Sequence, residues 1–240
     1  MEDEDLIFKK ATELYDAGKY GQVIEYVIEK CPDLSKASSG VLEKMAWSYY
    51  RRDKFGLARN IATMGVKLGY KDLESIIVQI DVYFGKDIKV VQDVLSENEN
   101  DPKICNAFIV AARGQKNPEQ YISQALRYVQ KFKNSDNISA IHMQNNMGCL
   151  YMATGDYEAA LDCWRRAYER YGEGNFHHRA ALQYWVHKAY LELITKDAAL
   201  NAAKLSLDLW IEAVEADPEN KTFQENLENA KKVYQDLLQL

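Results

Sequence analysis

Residues 148–161 read Gly-Cys-Leu-Tyr-Met-Ala-Thr-Gly-Asp-Tyr-Glu-Ala-Ala-Leu, and this stretch predicts two antiparallel helices joined by a tight turn. Gly148 lets a neighbouring helix approach closely, because it has no side chain. Gly155 and Asp156 are the residue types that end one helix and cap the next. The second helix then carries one apolar stripe at helical spacing, formed by Tyr157, Ala160, Trp164 and Ala167.

The same pattern recurs along the chain with a period near 34 residues, which is typical of a helical repeat. Residues 39–72 align with 141–174 without gaps, although Gln144 replaces the usual large apolar residue at one position of the later unit. Residues 4–37 carry the turn Gly18-Lys19-Tyr20, which returns as Gly155-Asp156-Tyr157. The matching positions of the second unit are Leu42, Met45, Ala46, Tyr49, Phe55, Ala58, Ala62 and Gly65.

With these residues the chain resembles the tetratricopeptide repeat (TPR) family, whose helical hairpins stack into curved solenoids that bind other proteins. The resemblance implies an all-α protein, a right-handed superhelical solenoid of about six TPR-like helical hairpins plus a C-terminal capping helix. We expect one domain over 1–240, because no Ser-, Gly- or Pro-rich linker interrupts it. The units lie near 4–37, 39–70, 71–102, 102–133, 136–174 and 175–217, and the capping helix is 218–240.

Four acidic or amide residues are expected to begin helices. Asp53 would cap the helix after the second turn, and Asp101, Asn117 and Asp217 each precede a proline that suits the first turn of a helix. Gly85-Lys86-Asp87 is expected to form the turn of the third hairpin.

Composition argues against several classes of protein. A net charge of −6 and a pI near 5.4 disfavour a general binder of nucleic acid or anionic membrane. The acidic N-terminus is the reverse of a signal peptide, and no apolar run reaches the roughly twenty residues of a membrane span. We therefore expect a cytoplasmic protein. The four cysteines have no metal-like spacing and are expected to be buried thiols.

No catalytic motif is present in the sequence: it lacks a phosphate-binding Gly-x-x-x-x-Gly-Lys loop, a Gly-x-Ser-x-Gly elbow and a His-Glu-x-x-His pair. His177 and His178 are adjacent, so on a helix they point about 100° apart and cannot share one ion. A zinc site from His178, His187 and a distant cysteine is the alternative to packed or exposed histidines. We expect no enzyme activity, no cofactor and no metal.

The TPR resemblance implies a protein-binding concave surface formed by the first helix of each hairpin. Exposed aromatic and arginine side chains there would anchor a protein or peptide partner. The alternative is that Trp47 and Tyr50 only pack between helices. Carried onto this sequence, the concave positions are Phe8, Thr12, Tyr15, Glu43, Trp47, Tyr50, Arg51, His142, Asn145, Cys149 and Met152.

The family's carboxylate clamp, which captures acidic C-termini with Lys, Asn and Arg at fixed positions, is missing. Glu43 and Trp47 occupy two of its positions, Asn145 and Cys149 occupy the same two in a later unit, and only Asn146 matches. Glu43 beside aromatic residues favours a basic or apolar peptide instead. The sequence therefore predicts a non-enzymatic adaptor or scaffold that binds a segment or helix of a partner.

A local charge bias supports a second hypothesis, an RNA-associated helical-repeat protein that uses residues 103–133, although binding of nucleic acid is the less expected outcome. Tyr121, Tyr128 and Phe132 lie within this segment, but with Ala125 they form one apolar stripe that is usually core. The only acidic residue of the segment is Glu119, and its basic residues are Lys103, Arg113, Lys116, Arg127, Lys131 and Lys133.

Overall fold

The computed structural model describes residues 4–85 and 88–239, and this part of the chain contains helices and no strand. It has thirteen α-helices, with short 3₁₀ segments at Leu34–Lys36, Lys71–Leu73 and Pro118–Tyr121. The α-helices are α1 (Glu4–Asp16), α2 (Tyr20–Lys30), α3 (Ser39–Arg51), α4 (Phe55–Lys67), α5 (Glu74–Tyr83), α6 (Ile88–Glu97), α7 (Pro102–Arg113), α8 (Ile122–Lys131), α9 (Ile138–Ala153), α10 (Tyr157–Arg170), α11 (Phe176–Glu192), α12 (Lys196–Ala216) and α13 (Lys221–Gln239).

The helices pair in chain order into six hairpins, α1/α2 to α11/α12, and α13 packs against α12. The all-α helical-repeat architecture expected from the sequence is therefore confirmed. Within the array, α3 contacts α5, α5 contacts α7, and α7 contacts α9, so the first helices of successive hairpins form an inner layer. Lys86 and Asp87 of the expected third turn lie outside the described residues.

The fifth hairpin shows why the repeat sequence folds as it does. A methyl group built on Gly148 would lie 2.5 Å from Nε1 of Trp164, so only glycine permits this approach of α9 to α10. Trp164 is fully buried, and its indole N–H donates to the Asn145 carbonyl at 3.1 Å. At the turn, Gly155 has φ +81°, and the Asp156 carboxylate accepts from the Ala159 N–H. The predicted close approach, turn and cap are all confirmed.

Three of the four expected helix caps are wrong, those at Asp53, Asp217 and Asn117. The carboxylate of Asp53 accepts from the Thr222 hydroxyl, and α4 begins without a side-chain cap. Helix α13 begins at Lys221 rather than at 218, and the side chain of Asn220, not Asp217, accepts from a backbone N–H of its first turn.

Of the two expected caps at Asp101 and Asn117, only the first is formed. Asp101 caps α7 as expected, because its carboxylate accepts from the Lys103 N–H at 2.8 Å. Asn117 does precede the 3₁₀ segment Pro118–Tyr121, but its side chain makes no capping bond.

The first and last parts of the chain meet, which the sequence did not predict. Tyr20, at the start of α2, is 1% exposed and packs into the cluster built by α11, α12 and α13. Its hydroxyl lies 2.8 Å from Nε2 of His177, and its ring centroid lies 6.0 Å from that of Phe223. Tyr20 therefore belongs to the core of the sixth hairpin although it stands in the first.

Polar contacts surround Tyr20 where the first two hairpins meet the end of the chain. We call this contact region, formed by residues 20–21, 51–53, 177 and 217–223, the seam. The Asp217 carboxylate accepts from the Gly21 N–H at 3.4 Å and lies 3.9 Å from the Arg52 guanidinium. Arg52 also donates to the Glu219 carbonyl, and Asn220 donates to the Arg51 carbonyl. Asp53 and Asp217, two of the aspartates expected to cap helices, are thus both used to join the first two hairpins to the end of the chain.

Replacing Gly148 with Leu should destabilise the protein, because the added side chain overlaps the ring of buried Trp164. We expect a loss of about 1–3 kcal/mol in the free energy of unfolding, measured by urea denaturation. Gly56 is the matched control, since it is also helical and a Cβ added there meets nothing within 4 Å. Equal stability of the Gly148→Leu and Gly56→Leu proteins would contradict the packing described for α9 and α10.

Candidate functional site

The inner helices line a central cavity of about 550 Å³ that is open to solvent on one side. It is lined by side chains from α3, α5, α7 and α9, with contributions from α1 and α11. Pockets of this size are typical of sites that bury most of a compact ligand. Seven of the eleven residues predicted for the concave surface line it, namely Tyr15, Glu43, Trp47, Tyr50, Arg51, His142 and Asn145.

The other four predicted residues lie outside the cavity wall. Phe8 is 39% exposed and covers Gly40, where a side chain would lie 2.6 Å from its ring. Thr12 has a buried hydroxyl without a hydrogen-bond partner among the described residues. Cys149 is buried in the core that α9, α10 and α11 share, and Met152 packs against the same cluster.

One side of the cavity is aromatic. Trp47 and Tyr50 of α3 meet edge to face with their centroids 5.3 Å apart, and Tyr50 continues the contact to Tyr83 of α5. Phe55 stacks on Tyr83 at 4.4 Å, and Phe84 stands beside both rings. Tyr83 is 57% exposed and Phe84 is 65% exposed. We call these five residues the aromatic strip; it runs from the cavity to the surface.

The opposite side carries amides and an arginine from α7 and α9. Asn146 donates from Nδ2 to Oδ1 of Asn106 at 2.9 Å and accepts from Arg113 at 3.1 Å. Arg113 therefore has a neutral amide as its hydrogen-bond partner. Asn145 lines the cavity with a buried Oδ1 that has no partner among the described residues.

Glu43 does not provide a free negative charge. Its carboxylate pairs with the Lys103 ammonium at 2.6 Å, and both side chains are largely shielded from solvent. This ion pair joins α3 to the start of α7. The preference for a basic peptide that the sequence suggested is therefore not favoured by the structure, because Glu43 already has its counter-ion.

Arg51 occupies the inner end of α3. Its guanidinium lies 6.0 Å from the Trp47 ring centroid, and its Nε is buried without a hydrogen-bond partner among the described residues. Burial raises the pKa of the Tyr15 phenol, and the nearby Arg51 opposes that rise. Arg51 is thus a cation placed beside aromatic rings rather than beside a carboxylate.

Three histidines gather between the cavity and the seam. Nε2 of His142 lies 3.2 Å from Nε2 of His178, the His178 ring stacks on Tyr171, and His177 contacts both His178 and Tyr20. Burial lowers the pKa of His142 to about 3, with the Arg51 charge adding to the shift. Burial and Arg51 also hold the pKa values of His177 and His178 well below the ordinary value. These rings are neutral at pH 7.

The sequence did not assign several cavity residues. Many of them lie on α5 and α7, whose units match the repeat pattern poorly. The sequence alone therefore could not show which residues of these two helices face the cavity. Lys103 and Arg113 appeared only as part of a basic segment, and His178 only as a zinc-site alternative. The unassigned polar and charged residues are Lys44, Gln79, Lys103, Asn106, Arg113, Ser139, Asn146 and His178.

The basic segment 103–133 does not form one surface. Lys103 and Arg113 point into the cavity, whereas Lys131 donates to the Glu99 carbonyl on the outside. The apolar stripe within it is core, as its spacing suggested: Ala125 and Tyr128 are buried, and Tyr121 and Phe132 pack against them.

Chemical sites of other kinds are not seen in the described part of the chain. Over 4–85 and 88–239, no three His, Cys, Asp or Glu side chains are placed to hold one metal ion. The four cysteines are free thiols, three buried and Cys31 half-buried. Among the same residues, no helix has both the length and the apolarity to cross a membrane.

The histidines should make the protein less stable in mild acid. A histidine kept neutral in the folded state, with an ordinary pKa of 6.5 when unfolded, stabilises the fold fully above pH 6.5 and loses that contribution as the pH falls below it. His177 and His187 are both buried, and the pKa of His187 is lowered to about 4 by its burial and by Lys188. For His187 this loss should be about 2 kcal/mol at pH 5, and His177 should add to it in the same direction.

Urea denaturation at pH 7.5 and pH 5.0 measures this loss. A His177→Phe protein, in which a ring can still stack on Phe223, should show a smaller loss than the unchanged protein. Equal free energies of unfolding at the two pH values would contradict the burial described for these rings.

No protein-family model matches the sequence, and no curated protein matches it. Among solved structures, the chain is similar to a thermophilic TPR protein from Thermus thermophilus. The match covers 95% of this chain and 98% of the other, at 14% sequence identity and a TM-score of 0.40. At that level the similarity indicates nothing about ligand, partner or activity, and the helical-repeat architecture rests on the hairpins described above.

Proposed function

We propose that this protein is a non-catalytic binding scaffold that receives a short segment of a partner protein in its central cavity. The observation that carries this proposal is the aromatic strip. It begins at Trp47 inside the cavity and ends at the exposed rings of Tyr83 and Phe84. A partner segment that enters the cavity would cover these outer rings as well.

The strip has the properties of an interface anchor. Aromatic side chains bury a large area for few rotatable bonds, and such residues dominate the energetics of protein interfaces. The inner rings are already fixed by their edge-to-face contacts and by the surrounding helices. Binding would therefore require little further ordering of the protein, which favours affinity.

The size of the cavity limits what can enter. A volume of about 550 Å³ accommodates a few side chains, not a long helix. The seam also closes one side of the inner surface, since Tyr20 and Asp217 hold the first and sixth hairpins together. We therefore favour a short segment over the extended helix that an open solenoid could hold.

An affinity purification from source-cell lysate, analysed by mass spectrometry, tests this proposal. The test protein carries Tyr83→Ala and Phe84→Ala, which remove exposed rings without opening the core. The control protein carries Ile194→Ala, which removes a 92% exposed apolar side chain from the turn before α12.

A partner protein should be retained by the unchanged and control proteins and lost from the double variant, with or without nuclease. Retention of the same partners by all three proteins would reject the aromatic strip as the binding surface. Material that disappears after nuclease treatment from every sample would instead support the RNA hypothesis.

A further inference from the structure

The charges of the central cavity are those of an anion site, and we propose that Arg51 and Arg113 hold a carboxylate or phosphate group there. This inference rests on the proposed function and deepens it, because it states the chemistry of the group that the partner brings. The aromatic strip would then receive the apolar atoms next to that group.

The first argument is local charge. The described cavity wall contains four cationic side chains, Lys44, Arg51, Lys103 and Arg113, against the single carboxylate of Glu43. The whole chain has the opposite sign, with a net charge of −6. Because Glu43 and Lys103 neutralise each other at 2.6 Å, three positive charges are left facing the cavity.

A second pocket in the same molecule shows a smaller imbalance. It has about 460 Å³ and lies between α8, α9 and α10, and it too is lined by basic residues, including Arg166 and Arg170. There, however, Asp162 and Glu169 stand among them, and Arg166 pairs with Asp162. With Lys133, three cations face two carboxylates in that pocket, so its excess of positive charge is one, against three in the central cavity.

The second argument is that neither cavity arginine is paired with a carboxylate in the described part of the chain. Among the described residues, no carboxylate lies within 4.0 Å of Arg51 or Arg113, whereas Arg52 and Arg59 each have one. Arg51 Nε and Asn145 Oδ1 are buried without hydrogen bonds. A shielded cation without a counter-ion and a buried polar atom without a partner both cost stability. An oxyanion in the cavity would remove the first of these costs.

The third argument is the geometry of the groups. Guanidinium is a planar donor that matches the two oxygens of a carboxylate or phosphate, and such charge-assisted hydrogen bonds are among the stronger ones. Burial beside Arg51 keeps His142 and His178 neutral, so each ring can still offer either a donor or an acceptor to a ligand at pH 7. Asn146 and Asn106 add amide groups to the wall.

Thermal denaturation in the presence of citrate or inorganic phosphate, compared with chloride at equal ionic strength, tests the site without knowledge of the partner. The test protein carries Arg51→Gln and Arg113→Gln. The control carries Arg165→Gln and Arg166→Gln, an equal change of charge on the exposed face of α10. Circular dichroism checks that both remain helical.

We expect citrate at about ten times its Kd to raise the melting temperature of the unchanged and control proteins by about 3–6 °C. The Arg51→Gln, Arg113→Gln protein should bind citrate about tenfold more weakly or worse. In chloride alone that double variant should melt no lower than the unchanged protein, because it loses unpaired charges. Equal responses of all three proteins to citrate, or no response in any of them, would overturn the proposal.

The same variants separate this inference from the proposed function. If citrate displaces the captured partner and the arginine variant fails to capture it, the oxyanion belongs to the partner. If citrate binds through the arginines but no partner depends on the aromatic strip, the site holds a free anion; the anion site then stands and the scaffold function fails. If a partner depends on the strip while citrate has no effect, the anion site fails and the scaffold function stands.

Discussion

Burial of Tyr20 between the first and the sixth hairpin is the contact on which the rest of the structure depends. Its hydroxyl contacts the His177 ring, which lies 157 residues away in the sequence. The Phe223 ring also packs against the Tyr20 ring, edge to face. Asp217 supports the contact with bonds to Gly21 and Arg52. Because the ends of the array are joined in this way, the concave surface of the repeat becomes the wall of a cavity.

The local structure could be predicted because each hairpin is decided by residues close in sequence. Gly148, Gly155 and Asp156 specify a close approach, a left-handed turn residue and a cap, and each acts over a few positions. The closure could not be predicted, since Tyr20 fits equally well as an ordinary repeat tyrosine. The cap expected at Asp217 fails for the same reason: an Asp before Pro normally begins a helix, but here its carboxylate accepts from the Gly21 N–H of α2.

The candidate site could likewise be predicted only where its residues belong to units that follow the repeat pattern. Residues on α3 and α9 could be placed because those units follow the repeat pattern, whereas Asn106 and Arg113 on α7 could not. The pairing of Glu43 with Lys103 reverses the charge that the sequence suggested for the cavity. The result is a cationic, partly aromatic interior in an acidic protein. Unpaired charge that lowers the stability of the free protein is a common feature of binding sites.

Amide hydrogen exchange in a Tyr20→Ala protein tests the closure most directly, with Tyr157→Ala as the control, because Tyr157 occupies the same turn position in the fifth hairpin. If the ends of the array are joined, the Tyr20 change should increase exchange at residues 174–180 and 217–223, and the Tyr157 change should not. Increased exchange confined to α1, α2 and α3 would show that the two ends of the array are not joined.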